Sequence, residues 1–401
     1  MSEIAATNQK ISLVEYIIMF LIICISGNPL FIYTESKYVY AFSMILILIL
    51  CITRGKKISS QSLFFWVISS ISLFICQNIL LEHTSINAEL NFITRLYTAF
   101  LTASIFGYRF REVYFKVMVA ICAISLPLFL LNTVGLGFGY EHDRYQTVLF
   151  YNSIKTSVYN HTSRNSGMFW EPGAFQGFIM LVFLFYSNNL RQFWNNYRKE
   201  SVILLLALLT TKSTTAYLVF GIFLFGIVLL NKKQNVFLKV FFLMLLITMS
   251  FYAMSLEFMG DKIAMQYEEA MSIQKGDVSW NRMGAMVIDI DNIKRHPIIG
   301  NGFMDRSRYG ILGEYMRGTG NGFTGAINMF GIPFIIMYLI AVYKNQTYIP
   351  KERRLLFVFV ISLLLTGEYF LNYSFFWSLL FVKIPNTDEK NVAGIHYSIK
   401  N

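Results

Sequence analysis

The sequence predicts an all-α polytopic integral membrane protein of about twelve transmembrane helices, on three observations. Of its 401 residues, 55% are apolar and only 14% are charged, a balance foreign to soluble domains of this length. Apolar runs long enough for a ~30 Å hydrocarbon core recur along the chain, and they lack the strict alternation of barrel strands. Lys and Arg gather in every second short loop, as they do where those loops face the cytoplasm. Residues 1–401 therefore read as a single transmembrane domain with no soluble unit left over.

In chain order, spans are expected at residues 11–31, 38–52, 63–81, 92–108, 117–136, 174–186, 202–209, 216–230, 240–256, 323–343, 355–366 and 370–381. The start, MSEIAATNQK, shows no small-residue cleavage site behind a short apolar region, so the first span is expected to be retained as an anchor. The basic loops carry Arg54, Lys56 and Lys57; Arg109, Arg111 and Lys116; Arg191, Arg198 and Lys199; Lys232, Lys233 and Lys239; and Lys344, Lys351, Arg353 and Arg354. Placed inside, they put both termini in the cytoplasm and two longer polar stretches, 137–172 and 257–322, on the opposite face. The net charge of +11 is then an orientation signal, not a nucleic-acid surface. Cys24, Cys51, Cys76 and Cys122 all fall within expected spans, where they serve as small apolar side chains.

The first outer stretch ends in RNSGMFWEPGAFQGF, from Arg164 to Phe178. Pro172 suits the first turn of a helix, and Glu171 before it stands at the positive helix end, which favours an anion. Arg164, Glu171 and Trp170 also fit a plainer reading, as interfacial charges and a belt aromatic anchoring a helix end.

The second outer stretch holds an amphipathic pattern, with Met283, Met286, Val287, Ile290 and Ile293 at helical spacing after the cap residue Ser279 and before Pro297. This helix is expected to lay its apolar stripe on the bundle or the membrane surface. Arg282 falls in its first turn, where a cation is unfavourable unless an anion is bound; a solvated arginine is the plainer alternative. A turn-rich segment from His296 follows, then Arg317 and Gly318–Gly322 lead into the next span, with glycines that let backbone approach a ligand.

Three motifs carry a resemblance. R-x-x-G-x-F-W-E-P-G begins at Arg164, HPIIGNGF runs from His296 to Phe303, and GNGF from Gly320 enters a span holding Asn328 and Gly331-Ile332-Pro333. In these motifs, and in its plan of many spans with one large late outer loop, the chain resembles the bacterial O-antigen polymerases, within the larger group that includes the O-antigen ligases.

The resemblance implies a GT-C-like glycosyltransferase of the bacterial inner membrane. It would join undecaprenyl-pyrophosphate-linked oligosaccharide units, donor and acceptor, on the periplasmic face, with a chain-length regulator protein as partner. Such transfer leaves negative charge on a departing pyrophosphate, a task for bidentate arginines, here Arg164 and Arg282. An acceptor hydroxyl must lose a proton, for which Glu171 stands first and His296 second. Lys212, Arg317, Asn321 and Trp170 complete the expected substrate-binding set. No carboxylate cluster with metal-holding spacing accompanies them, so transfer is expected to use neither metal nor cofactor.

Ligases carry a His-Asn pair where this chain has Gly320-Asn321, which favours polymerase over ligase and leaves Glu171 open to a second role, holding Arg164 in place. A lipid-linked oligosaccharide flippase is the competing non-enzyme reading. Its ionisable groups should line a central cavity, whereas here only Glu15, Arg95 and Glu368 lie near span ends.

Overall fold

The computed structural model describes residues 11–32, 36–53, 60–82, 86–136, 140–142, 145–154, 164–255, 268, 282–310 and 320–383. Most of these are helical. In order they form α1 (Leu13–Ile25), α2 (Pro29–Ile32), α3 (Ser36–Thr53), α4 (Gln61–Leu80), α5 (Ile86–Phe106) and α6 (Phe110–Thr133). After three short strands come α7 (Pro172–Phe185), α8 (Leu190–Asn196), α9 (Arg198–Thr210), α10 (Thr214–Leu230) and α11 (Val236–Ser255). The later part holds α12 (Arg282–Ile293), α13 (Asp305–Tyr309), α14 (Gly322–Phe330), α15 (Ile332–Asn345), α16 (Lys351–Gly367) and α17 (Ser374–Trp377).

Two stretches are long and apolar enough to cross a membrane, Gln61–Leu80 and the run Ile86–Thr133, or up to four if each of two bent pairs counts as one crossing. Among the described residues, the expected twelve are not all present at crossing length. Helices such as Leu13–Ile25 and Thr214–Leu230 are apolar but fall short of the ~20 residues a perpendicular crossing needs. One face of α4 exposes Phe64, Phe65, Ile68, Ile75 and Ile79, apolar surface of the kind lipid covers.

Two expected spans take a different form. The stretch 323–343 bends by 119° between α14 and α15, at Gly331, whose φ of 84° suits a residue without Cβ. The bend frees carbonyls at the end of α14, and earlier parts of the chain satisfy them. Asn301 N–H donates to the Asn328 carbonyl at 2.6 Å, Gly302 N–H to that of Met329 at 3.2 Å, and the Gln77 amide to Met329 at 2.9 Å. In return Ile332 N–H donates to the Pro297 carbonyl at 2.8 Å. The stretch 370–381 is a chain of short turns around α17, with Phe375, Phe376 and Trp377 buried. There the Trp377 indole donates to the Leu371 carbonyl at 2.7 Å, a side-chain bond that competes with regular helix.

At the centre lies α7, every residue of which is buried. Phe178 on α7 packs against Phe370, Phe375 and Phe376, and the Tyr114 hydroxyl on α6 donates to the Phe178 carbonyl at 2.6 Å. Of the four cysteines, all in helices, Cys76 is exposed and the others are buried. Within the stretch 137–172, Tyr140–His142, Tyr145–Val148 and Tyr151–Ile154 form an antiparallel meander with Thr147 opposite Asn152. Asn152 then holds the segment before α7: its N–H donates to Gly167 at 2.6 Å and its amide to Phe169 at 2.8 Å.

The amphipathic helix exists as α12, and it is the small and polar face, not the apolar stripe, that docks on the rest of the chain. It buries Gly284, Ala285, Asp289 and Asn292, while Ile290 on the apolar stripe is exposed. The reason is polar. Asp289 accepts hydrogen bonds from the Tyr309 hydroxyl at 2.9 Å, the Thr324 hydroxyl at 2.8 Å and the Asn328 amide at 2.9 Å, so the carboxylate determines which face docks. Ser279, the expected cap, lies outside the described residues.

Candidate functional site

Arg282 is the first residue of α12, and three helix starts meet at its guanidinium. Glu171 is the N-cap of α7, with Pro172 in the first turn as its fixed φ allows. Thr215 lies in the first turn of α10, which is capped by Ser213. Arg282 Nη2 stands 3.5 Å from Glu171 Oε2, and Nη1 donates to the Thr215 hydroxyl at 3.4 Å. The expected anion beside Arg282 is therefore supplied by the protein itself.

The closer partner of Arg282 is Glu368, which caps the end of α16 and forms an ion pair with Nη2. Sequence reasoning treats Glu368 only as a charge near a span end. A carboxylate between two apolar runs is itself the signal that marks it. Glu368 is 6% exposed, whereas Glu171 is 37% and Arg282 27% exposed. The buried carboxylate is thus the anchor, and Glu171 is the more accessible of the two. Burial pushes the Glu368 carboxyl up from the usual range, opposed by the Arg282 charge. Its approach depends on Gly173: a Cβ there would overlap Glu368 Oε1 and stand 3.3 Å from Arg282 Nη2.

Arg164 belongs to the same electrostatic cluster. Its Nε donates to the Thr211 carbonyl at 3.1 Å, in the turn between α9 and α10, and the neighbouring Asn165 is tied to Thr210 by backbone and side chain at 2.9 and 3.0 Å. Burial pulls the Arg164 guanidinium down from its ordinary pKa, while Glu171 and Glu368 pull it back up. Glu171 pairs with Arg282 and also acts electrostatically on Arg164, so its expected holding role has both arginines within its field.

The remaining expected site residues divide. Lys212 sits exposed in the same turn with a φ of 46°, a left-handed conformation uncommon for a residue with a side chain. Asn321 caps α14, accepting from the N–H groups of Phe323 and Thr324, each at 3.1 Å. Trp170 is not a platform for sugar: it is buried, its ring packs on Tyr373 and Phe370, and its indole donates to Glu368 Oε2 at 3.1 Å. His296 is not brought to the site, because α12 starts at Arg282 and His296 follows its far end, about 18 Å along the axis. The HPIIGNGF element instead satisfies the broken backbone at Gly331. Arg317 lies outside the described residues.

The arrangement brings the guanidinium groups of Arg282 and Arg164 to helix starts, with Glu368 buried behind them and Glu171 part exposed, a donor set that suits a multiply charged anion. Among the described residues, no three His, Cys, Asp or Glu side chains are grouped as a metal ion would need. No model of a known protein family matches the chain, and no curated protein matches it either.

Proposed function

We propose that the chain is an O-antigen polymerase, a bacterial inner-membrane glycosyltransferase of about twelve crossings, with both termini in the cytoplasm and its active face in the periplasm. Its donor and acceptor are undecaprenyl-pyrophosphate-linked oligosaccharides. One observation carries the reading: Arg282 is held by buried Glu368 beside exposed Glu171, where the starts of α7, α10 and α12 meet.

The chemistry follows from those positions. An acceptor hydroxyl attacks the anomeric carbon of the donor glycan, and the bond from that carbon to the pyrophosphate oxygen breaks. Both electrons leave with undecaprenyl pyrophosphate, whose growing charge is met by the guanidinium groups of Arg282 and Arg164. Glu171 takes the proton of the hydroxyl. Glu368 and Trp170 fix the plane of Arg282 from behind.

The test is the lipopolysaccharide ladder in strains carrying Glu171→Gln or Arg282→Ala, normalised to protein abundance. Both should leave core plus a single repeat unit, with Arg282→Ala losing on the order of 2–4 kcal/mol of transition-state stabilisation. A normal ladder at normal abundance sinks the proposal. Core alone, without any repeat unit, would move the chain to the ligase or the flippase class.

A further inference from the structure

Three surfaces run along α12. Gly284, Ala285, Asp289 and Asn292 dock on the rest of the chain, and Asp291 and Arg295 are exposed on one flank. Away from the docked face run Met283, Met286, Val287 and Ile290, none of them buried and Ile290 45% exposed. Their i, i+3, i+4, i+7 spacing makes one continuous apolar stripe.

Asp289 explains why that stripe faces outward. Its bonds to Tyr309, Thr324 and Asn328 fix the rotation of the helix about its own axis, and turning the stripe inward would strand those donors. Apolar surface held outward against water is costly unless something apolar covers it.

The chain after α12 shows what lies beside it. Ile298 is 70% exposed, and the carbonyl of the next residue, Ile299, accepts from the Gln77 amide at 2.7 Å. Gln77 lies in the last turn of α4, a helix long and apolar enough to cross a membrane. Leu81, just past that turn, would stand 3.4 Å from a Cβ at Gly302. Ile79 and Leu80 in the same turn are exposed, so the outward apolar surface of α4 continues onto Ile298. With 20 residues α4 is about 30 Å long, the thickness of a hydrocarbon core, and its end marks where lipid tails give way to headgroups. The far end of α12 is tied to that level.

We propose that the outward stripe of α12 is inserted in the boundary between headgroups and acyl chains of the leaflet in which α4 ends, so that protein holds one face of the helix and lipid the other. Ile290 and Ile298 enter the apolar side of that boundary. Asp291, paired with Lys294 at 2.9 Å, stays in water with Arg295. The inference rests on the crossing of α4 and not on glycosyl transfer. Joined to the polymerase reading, it sets Arg282, the first residue of the helix, at the height of lipid phosphates, where undecaprenyl pyrophosphate would lie.

The test places a nitroxide at single introduced cysteines, Ile290→Cys, Ile298→Cys and Val287→Cys, in the full-length protein carrying Cys76→Ser and reconstituted in bilayers of phosphatidylethanolamine and phosphatidylglycerol. Oxygen concentrates among acyl chains and a nickel chelate stays in water, so their relative collision with the nitroxide reports its surroundings. Ile68→Cys, within α4 on its exposed face, is the lipid reference, and exposed Asp291→Cys is the water reference. The labels replacing Ile290 and Ile298 should meet oxygen more often than the chelate, as at Ile68, with the reverse at Asp291. Chelate-dominated collision at both overturns the proposal. Exclusion of both probes overturns it too, since a second copy or the chain's own residues would then cover the stripe. The label replacing Val287 decides if either of the others fails to fold. A water-like Ile68 label would remove the crossing of α4 and the proposal with it. Because no transfer is measured, the ladder outcomes for Glu171 and Arg282 leave this measurement untouched, and failure of one reading is told apart from failure of the other.

Discussion

The Trp170 indole donates to one oxygen of Glu368 at 3.1 Å, and the other oxygen pairs with Arg282. A single buried carboxylate, 198 residues beyond Trp170 in sequence, therefore joins the FWEPG stretch to the start of α12. Glu368→Gln keeps an acceptor for the indole and removes the ion pair. Because Arg282 is part exposed, the loss should fall at the low end of the about 3–5 kcal/mol seen when one partner of a buried pair is removed. The repeat-unit ladder should collapse while Trp170→Phe, which removes the indole bond and leaves the ion pair in place, retains part of it. Equal ladders in the two variants would show that Glu368 does not act through Arg282.

Gly173→Ala tests the same junction from the other side. At an ordinary helical position this change gains about 0.5–1 kcal/mol. Here the new methyl meets Glu368, so the carboxylate must withdraw and Arg282 with it. The expected result is a lost ladder with little change in protein abundance. An intact ladder would mean that Glu368 has room to move without consequence.

The docking of α12 carries a pH dependence. Burial raises the Asp289 carboxyl above its ordinary range, against the donors Asn328, Thr324 and Tyr309. The folded chain then holds the proton to higher pH than the unfolded chain, so this group's contribution to stability declines as pH rises from about 3.9 through the raised value. In Asp289→Asn that decline should vanish, as measured by the difference in Tm between wild type and variant across pH. A difference that grows in favour of the wild type with rising pH would contradict the sign. Asp289→Leu strands three donors, at about 1–3 kcal/mol each, and should be strongly destabilising at every pH.

Orientation is open to direct labelling at two exposed side chains. In intact cells, Asp291→Cys on α12 should react with a membrane-impermeant maleimide, and Lys232→Cys should react only after permeabilisation. The reverse pattern would place the arginine cluster in the cytoplasm and remove the polymerase reading with it.

Arg164, Glu171 and Arg282 are legible in sequence because charge at the mouth of an apolar helix is costly and so rarely idle. Glu368 obeys the same logic, but its partner lies 86 residues upstream, and only folding brings the two together. The face by which α12 docks is not legible, because apolar spacing is local, whereas the donors that hold Asp289 come from residues 309, 324 and 328. His296 is misread for a similar reason: a titratable ring draws attention, while the backbone of the residues after it does the work. Straight spans at 323–343 and 370–381 follow from counting apolar side chains, a count blind to where carbonyls find donors.

The bend at Gly331 has a consequence for the order of assembly. The donors from Gln77, Asn301 and Gly302 to the freed carbonyls of α14 all belong to chain made before the bend itself. As residues 322–345 leave the ribosome, their partners have already been synthesised, so the sharp turn can close as soon as it emerges without waiting for anything downstream.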